Sequence, residues 1–289
     1  MKQIISLYII TFSLIMIGCG EPGVDVTNSQ YEEKIVVEGF LYPTKSVRDI
    51  KLTRNFALNT EIDPNEIILT PSNNNVNATI NDVQLFYESY SGTYYSDELI
   101  PDYNTEYTLK VSAIIDGIEL YAESTTITPE QGFKVINNDL GIIKYRQDDP
   151  IIEFNTSPGT DFYAFSYRAE NATVENFIYD NPFVPDLKPE DIEKDFNDFL
   201  YQLDLIINVE SESNKTIQHK LSGLDMWFYS DYSVIVYAGD QNFRDYALTV
   251  KDVQEADGNF VEPQFYFKGD GIGIFGSAIK EVVTFTLTK

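Results

Sequence analysis

Histidine and cysteine are almost missing from this sequence, which has one of each in 289 residues. A Ser-His-Asp or Cys-His nucleophile system would therefore need His219 as its sole base, and a zinc site built from several histidines or cysteines is excluded. His219 lies within residues 216–221, where polar and apolar residues alternate, and we interpret it as a solvated histidine on the polar face of a strand. The scarcity of such groups predicts a protein that is not an enzyme.

Positive charge is scarce as well. Lysine and arginine number 20 against 46 aspartates and glutamates, which gives a formal net charge of −26. A surface this negative repels phosphate backbones, and the sequence offers no basic patch of the kind that nucleic-acid binding needs. Nucleic acid is therefore not expected as a partner, and the folded body should also stand off anionic headgroups.

The single cysteine, Cys19, ends an apolar run over residues 4–18 that follows Lys2. A transmembrane helix needs about 20 residues, so this shorter run is typical of a cleaved signal peptide, residues 1–18. A small residue, Gly18, precedes the cysteine, as in a bacterial lipobox; the alternative is a buried free cysteine. We expect lipidation of Cys19 by acyl chains such as palmitate, with residues 19–30 as the tether and the lipid as the membrane attachment.

Residues 31–129 show the period-two alternation of half-buried strands, separated by turn residues. The dipeptide Asp116-Gly117 between two strand patterns predicts a hairpin, because a type I′ turn needs positive φ at both central residues. Pro129 closes this part of the chain. The pattern predicts an N-terminal antiparallel β-sandwich of the immunoglobulin-like or transthyretin-like kind.

Residues 133–289 predict a second β domain that is interrupted by helices. After Pro189, apolar residues recur at helical spacing and predict a helix near 189–204. Asp240 can cap another helix near 242–253. A glycine run at 269–276 permits a bend or bulge before a last strand at 281–288. The predicted fold class is therefore mainly β, with two tandem antiparallel β-sandwich-like domains, the second carrying one or two inserted helices.

Several features now occur together: the lipobox, residues 35–39 (Ile-Val-Val-Glu-Gly), tyrosine-rich hairpins, an aromatic helix, and residues 271–276 (Gly-Ile-Gly-Ile-Phe-Gly). Together they resemble a family of two-domain lipoproteins from Bacteroidota, catalogued as domain of unknown function 4249. The resemblance covers essentially the whole chain after the signal peptide. It implies a lipoprotein of the outer membrane or cell surface, often encoded beside a TonB-dependent transporter, with no catalytic or ligand residue to transfer.

Other candidate sites have weaker patterns. Acidic residues at 148–149, 180, 186 and 190–198 contain carboxylates for Ca²⁺, but they lack the Asp-x-Asp-x-Asp-Gly spacing, so a solvated acidic surface is favoured. A glycosidase pair of carboxylates cannot be selected from 46 scattered acids. The glycine run lacks the Lys-Ser/Thr of a phosphate loop and is not followed by a helical pattern. No cofactor is predicted.

Aromatic residues are the remaining candidates for binding. Trp227, Tyr229 and Tyr232 cluster between turn residues, where flat rings could stack on sugars or serve as protein contacts. A second group, Tyr87, Tyr90, Tyr94 and Tyr95, crowds one hairpin. The alternative interpretation is that alternate rings pack in the core. We favour the core for Trp227 and leave Tyr229 and Tyr232 open.

Two functions remain possible. The first is a non-catalytic accessory lipoprotein that docks on an outer-membrane TonB-dependent transporter or presents ligand to it. The second is a free-standing surface module that binds glycan or peptide. The sequence ranks no ligand for either.

Overall fold

The computed structural model describes residues 31–57, 60–183, 187–209, 215–250 and 263–289, and within them the chain is mainly β, as predicted. The strands are β1 (Ile35–Leu41), β2 (Val47–Arg54), β3 (Asn77–Ile80), β4 (Val83–Gln84), β5 (Phe86–Glu88), β6 (Thr93–Ser96), β7 (Glu106–Ile115), β8 (Ile118–Ile127), β9 (Lys134–Val135), β10 (Asp139–Lys144), β11 (Ile151–Asn155), β12 (Phe162–Ala169), β13 (Tyr201–Ile206), β14 (Thr216–Lys220), β15 (Asp231–Gly239), β16 (Lys268–Gly269) and β17 (Gly271–Thr288). The helices are α1 (Pro71–Asn74), α2 (Pro189–Lys194), α3 (Phe196–Leu200) and α4 (Gln241–Val250).

The strands form three sheets. A nine-stranded sheet has the order β13-β12-β15-β17-β1-β2-β6-β5, with β10 also paired to β17. A five-stranded sheet runs β16-β8-β7-β3-β4, and a three-stranded sheet runs β14-β11-β9. The prediction of antiparallel sheets holds for most pairs, but β1 and β10 each pair with β17 in parallel. The nine-stranded sheet is therefore mixed.

Two main hydrophobic cores lie against this large sheet. The first contains apolar side chains of β1, β2, β3, β7 and β8, together with Phe275 of β17. The second contains side chains of β11, β12 and β15, together with Val283, Phe285 and Leu287 of β17. Each core is thus enclosed between strands of different sheets, as in a sandwich, and β17 contributes to both.

Local sequence explains why these strands form. In β1, Ile35, Val37 and Leu41 are buried in the first core, while the alternate residues lie on the opposite face. The predicted hairpin at Asp116-Gly117 joins β7 to β8, and both residues have positive φ, 51° and 83°. This confirms the predicted turn, because an Asp-Gly pair adopts that conformation at low cost.

The last strand differs from its prediction. A bend or bulge at the glycine run was expected before a strand at 281–288. The chain bends at Asp270, between β16 and β17, but β17 then begins at Gly271 and continues for 18 residues. Gly273 has a φ of 102° within this strand, so the backbone irregularity is absorbed without ending the strand. Ile274 and Phe275 are buried, and Ile272 is partly buried.

The helices are shorter than predicted. The segment near 189–204 contains α2 and α3, but Tyr201 begins β13, because residues 201–206 pair in register with β12. The predicted helix near 242–253 is α4, and residues 251–253 lie outside the described residues. Residues 33–289 form one compact unit. The boundary proposed between residues 129 and 133 stays a prediction about independent folding.

Candidate functional site

Tyr232, one of the three predicted binding aromatics, is a core residue. Its ring is 3% exposed and stacks on Phe285 with centroids 5.1 Å apart. Its hydroxyl donates a hydrogen bond to the carbonyl of Phe228 at 3.1 Å and accepts one from the Phe228 N–H at 3.1 Å. Burial raises the pKa of this phenol. The ring therefore has no face open to a ligand from solvent.

Trp227 packs beside the second core and is partly buried. Its indole stacks on Phe177 at 6.4 Å and meets the edge of Phe199 at 5.4 Å. Its buried Nε1 has no hydrogen-bond partner among the described residues. These contacts place Trp227 in packing that covers the second core, in agreement with the interpretation favoured from the sequence.

Tyr229 is partly buried and lies between two surface depressions. One, of about 610 Å³, is lined by Tyr179, Asp180 and Lys289; the other is lined by Asn171 and Asp231. The Tyr229 ring meets the edge of Tyr145 at 5.8 Å, and the Lys289 ammonium lies 5.4 Å from its centroid. An aromatic ring with amides and carboxylates on both sides has the chemistry that sugars need.

The two tyrosines should differ when each is replaced. We expect Tyr232→Ala to lower the free energy of unfolding by about 4 kcal/mol, because a buried ring and its hydrogen bonds are lost. Tyr229→Ala should cost about 1 kcal/mol, because its ring is only partly buried. Urea unfolding of the two variants measures both values. Equal losses would contradict this assignment.

His219 differs from the solvated residue that was predicted. Residues of one parity share a face, so His219 lies with Ile217 on the inner side of β14 and pairs across the ladder with buried Ile152. Its Nε2 is 2.8 Å from Asp204 Oδ2, and its ring lies 4.3 Å from that of Phe165. The prediction of a polar face was wrong because the exposed residues of this strand are the alternate ones, Thr216, Gln218 and Lys220.

The acidic segments do not come together as a metal site within the described residues. Asp149 accepts a hydrogen bond from the Gly223 N–H at 3.0 Å and pairs with Lys220, and these contacts lower the pKa of its carboxyl. In the described ranges, no three histidine, cysteine, aspartate or glutamate side chains converge as metal ligands would. Asp186 lies outside those ranges.

A cleft on the outer face of the nine-stranded sheet is the best-formed candidate site. It measures about 510 Å³ and lies where α4 crosses the sheet. The first wall is the outward face of β1, with Val36, Glu38 and Phe40, followed by Tyr42. The opposite wall consists of Phe243 and Tyr246 on α4. Five aromatic rings line this cleft: Phe40, Tyr42, Tyr237, Phe243 and Tyr246.

Contacts between rings fix the shape of the cleft. Phe243 meets the edge of Phe40 with centroids 4.8 Å apart, and that of Tyr237 at 5.8 Å. It also meets buried Phe162 at 5.2 Å, which belongs to a small third core with Ala164 and Ala247. Edge-to-face contacts of this kind hold the rings in defined orientations. The cleft is therefore formed before any ligand enters.

The phenols of the cleft are neutral. Burial raises the pKa of Tyr42 and of Tyr237 above the ordinary value for tyrosine. Burial also raises the pKa of Tyr246, and the negative charge of nearby Glu38 raises it further. The tyrosine hydroxyls can thus donate and accept hydrogen bonds, while Glu38 supplies the negative charge.

A buried polar network holds α4 in place. Asp240 Oδ1 accepts hydrogen bonds from the N–H groups of Phe243 at 3.0 Å and Ser277 at 3.1 Å, and Thr126 donates to Oδ2. The first of these bonds confirms Asp240 as the cap of this helix. Asn242 donates to the carbonyls of Thr125 and Phe275, both at 2.8 Å. The start of α4 is therefore tied to both β8 and β17.

An apolar surface continues from the cleft across the sheet. Leu203, which lines the cleft, is 58% exposed, and Tyr201 on the same strand is 52% exposed. Val282 of β17 is 48% exposed and lies on the same side. Large apolar side chains exposed beside a formed cleft are typical of a surface that contacts a partner.

Sequence reasoning missed this cleft. Its rings come from two distant parts of the chain: Phe40 and Tyr42 at the end of β1, and the rings of β15 and α4, about 190 residues further along. The available signal was local: Phe40 in β1 and Tyr42 directly after it alternate with the buried residues of that strand. A ring at a solvent-facing position of a half-buried strand is a sign that something else covers or contacts it.

Of the described helices, none has the length and hydropathy needed to cross a membrane. Cys19, the predicted lipidation site, lies outside the described residues, as do the predicted signal peptide and tether.

Comparison with protein-family models gives a match to the domain of unknown function DUF4249 over residues 22–278. A comparison with curated proteins gives no match. The matched region includes every residue that lines the cleft, Tyr229 itself and all of the first main core, and it ends before Val283, Phe285 and Leu287 of the second. The chain therefore belongs to the DUF4249 family.

Proposed function

We propose that this protein is a non-catalytic lipoprotein of the bacterial outer membrane, from the Bacteroidota, anchored through Cys19. It serves as an accessory to a TonB-dependent transporter, either by docking on it or by presenting ligand to it. The observation that carries the proposal is the aromatic cleft, which lies beside an exposed apolar strip of the sheet formed by Tyr201, Leu203 and Val282. A preformed cleft beside an apolar contact surface suits a protein that holds a ligand next to a partner.

The absence of catalysis is part of this proposal. The single histidine lies on the inner face of β14, hydrogen-bonded to Asp204 and with its ring tilted against that of Phe165, on the side of the sandwich away from the cleft. Among the described residues that line the cleft, Glu38 is the one carboxylate. The three phenols of the cleft have pKa values raised by burial and stay protonated, so general base catalysis there would have only Glu38 to use. Binding is therefore the activity that this site supports.

The lipid anchor is tested at Cys19. We expect Cys19→Ala to give a folded protein without lipid, because the thiol is the acyl acceptor and the body supplies both cores. Incorporation of a labelled fatty acid should disappear in the variant, and the protein should leave the detergent phase on phase partition. A wild-type chain that takes up no label would refute the anchor.

Transporter docking is tested on the apolar strip. Leu203→Asp places a charge where the strip is most exposed, so crosslinking and co-purification with an outer-membrane barrel should be lost. Ile118→Asp is the matched control, because Ile118 is 48% exposed but lies on the five-stranded sheet. Equal capture by both variants and wild type would refute docking at this surface.

A second function is favoured by the surroundings of Tyr229. The ring lies between two depressions with polar rims, an arrangement suited to successive sugar rings. The alternative is thus a surface glycan-binding module. Glycan-array binding that is lost in Tyr229→Ala and retained in Tyr90→Ala would support it, since Tyr90 is 98% exposed in a different hairpin.

A further inference from the structure

The aromatic cleft has one negative charge placed among rings. Glu38 lies on the outward face of β1, paired across the ladder with Ile274, between positions occupied by Val36 and Phe40. It is exposed, and its partner in the antiparallel β1–β2 ladder is Lys51, but within the described part of the chain no cation lies within ion-pair distance of its carboxylate. A carboxylate beside aromatic faces attracts a cation in two ways, by its charge and by the ring quadrupoles.

One ring of the cleft already holds an ammonium group. The Nζ of Lys280 lies 3.8 Å from the centroid of Tyr42, well inside the range of a cation–π contact. Lys280 pairs across the ladder with Tyr237, so it reaches Tyr42 from the edge of the cleft. Glu38 lies four residues before Tyr42 on the same face, roughly 13 Å away along an extended strand. The lysine and the carboxylate therefore occupy opposite ends.

From this arrangement we propose that the cleft binds an organic cation that carries an apolar group, such as an arylalkyl- or alkylammonium compound. The cationic head lies at the Glu38 end, against the ring of Tyr246. The apolar group lies along Phe40 and Phe243. This inference deepens the proposed function, because it names the ligand class of the same cleft, but it requires neither the lipid anchor nor the transporter.

Charge excludes the competing ligand classes. An anion would have to enter beside Glu38 on a protein whose formal net charge is −26, and Lys280, the cation at the other end of the cleft, is engaged with Tyr42. A neutral apolar compound would contact the rings but would gain nothing from the charge of Glu38, whose cross-strand neighbour Lys51 is not within ion-pair distance. An organic cation interacts with both the rings and Glu38, because the carboxylate and the ring faces offset the free energy that its charged head loses on leaving water.

The test compares two ligands of nearly the same shape. Meta-hydroxyphenyl-trimethylammonium and meta-tert-butylphenol differ in having a charged nitrogen or a neutral carbon at the centre of the head group. Calorimetric titration of the full chain in a non-ionic detergent should give about tenfold tighter binding of the cation. Equal affinities, or no binding of the cation, would overturn the proposal.

Matched variants locate the effect. Glu38→Gln should remove most of the preference for the cation, whereas Glu119→Gln, with the same change in net charge at an exposed position of β8, should leave it unchanged. Tyr246→Phe should keep the preference and Tyr246→Leu should reduce it about threefold, because the ring and not the hydroxyl contacts the head. Thermal unfolding confirms that each variant is folded.

The outcomes separate this inference from the proposed function. If Glu119→Gln weakens binding as much as Glu38→Gln, the cation responds to overall charge and the cleft site is refuted. If the cleft prefers the cation but the chain never captures a barrel protein, the ligand class stands and transporter docking fails.

Discussion

Asp240→Ala is expected to lower the free energy of unfolding by on the order of 4 kcal/mol, among the largest effects of any single side chain here. The carboxylate accepts hydrogen bonds from two backbone N–H groups and from Thr126, at a buried junction of β8, β17 and α4. Alanine leaves these donors without partners in a place that water does not reach, and each such loss costs about 1 to 3 kcal/mol. Denaturant unfolding measures the change.

Asp240→Asn is the matched control, because an amide oxygen can still accept from the backbone donors. Burial raises the pKa of Asp240, so the folded chain holds this proton more tightly than the unfolded chain does. The stability contributed by that proton is present below the unfolded pKa and is lost as pH rises through the folded pKa. Wild type should therefore lose stability relative to Asp240→Asn over that range. A wild type that gains stability relative to Asp240→Asn as pH rises would contradict this assignment.

Gly273→Ala is expected to be about as damaging, at roughly 4 kcal/mol. Gly273 has a φ of 102°, and a Cβ there would lie 2.2 Å from the carbonyl oxygen of Val37. Val37 is the direct partner of Gly273 in the parallel β1–β17 ladder, so the strands would have to separate or shift. Backbone strain accounts for about 1 to 3 kcal/mol and the disturbed pairing for the rest.

Gly141→Ala is the control for backbone strain alone. Gly141 has a φ of 68°, and a Cβ there meets nothing within 4 Å. Its cost should be about 1 to 2 kcal/mol. If urea unfolding gave similar losses of unfolding free energy for the two glycine variants, the contact with Val37 would contribute nothing to the cost of Gly273→Ala. Since Glu38 and Ile274 adjoin this pair, Gly273→Ala should also weaken ligand binding in the cleft.

The parts of the fold that the sequence predicted are those with local causes. The Asp116-Gly117 hairpin follows from positive φ at two adjacent residues, and Asp240 caps α4 through its own side chain. The course of β17 is different. Its glycine run suggested a bend or bulge, but residues 271–277 pair with β1 and residues 278–286 with β15, so the chain stays extended throughout. Tertiary pairing outweighed local propensity there.

The candidate site was less predictable for a related reason. Tyr232 stands near turn residues, but its ring faces inward, and no local pattern distinguishes it from Tyr229, which faces a depression. The cleft needs rings from β1, β15 and α4 to meet, and their spacing along the chain contains no sign of that. Only the alternation of Phe40 and Tyr42 with the buried residues of β1 was available beforehand. Glu38 can be recognised as a charged residue of the cleft only once the fold places Tyr246 beside it.

The pairing of β17 with β1 has a consequence for how the protein folds. The two strands are about 230 residues apart along the chain, yet they pair over seven consecutive residues, and Phe275 completes the first core. One edge of β1 therefore remains open until β17 has been synthesised and has paired with it. Such a long-range pairing favours slow folding and prolonged exposure of an unpaired strand. A chain that lacked β17 would lose Phe275 from the first core and Val283, Phe285 and Leu287 from the second.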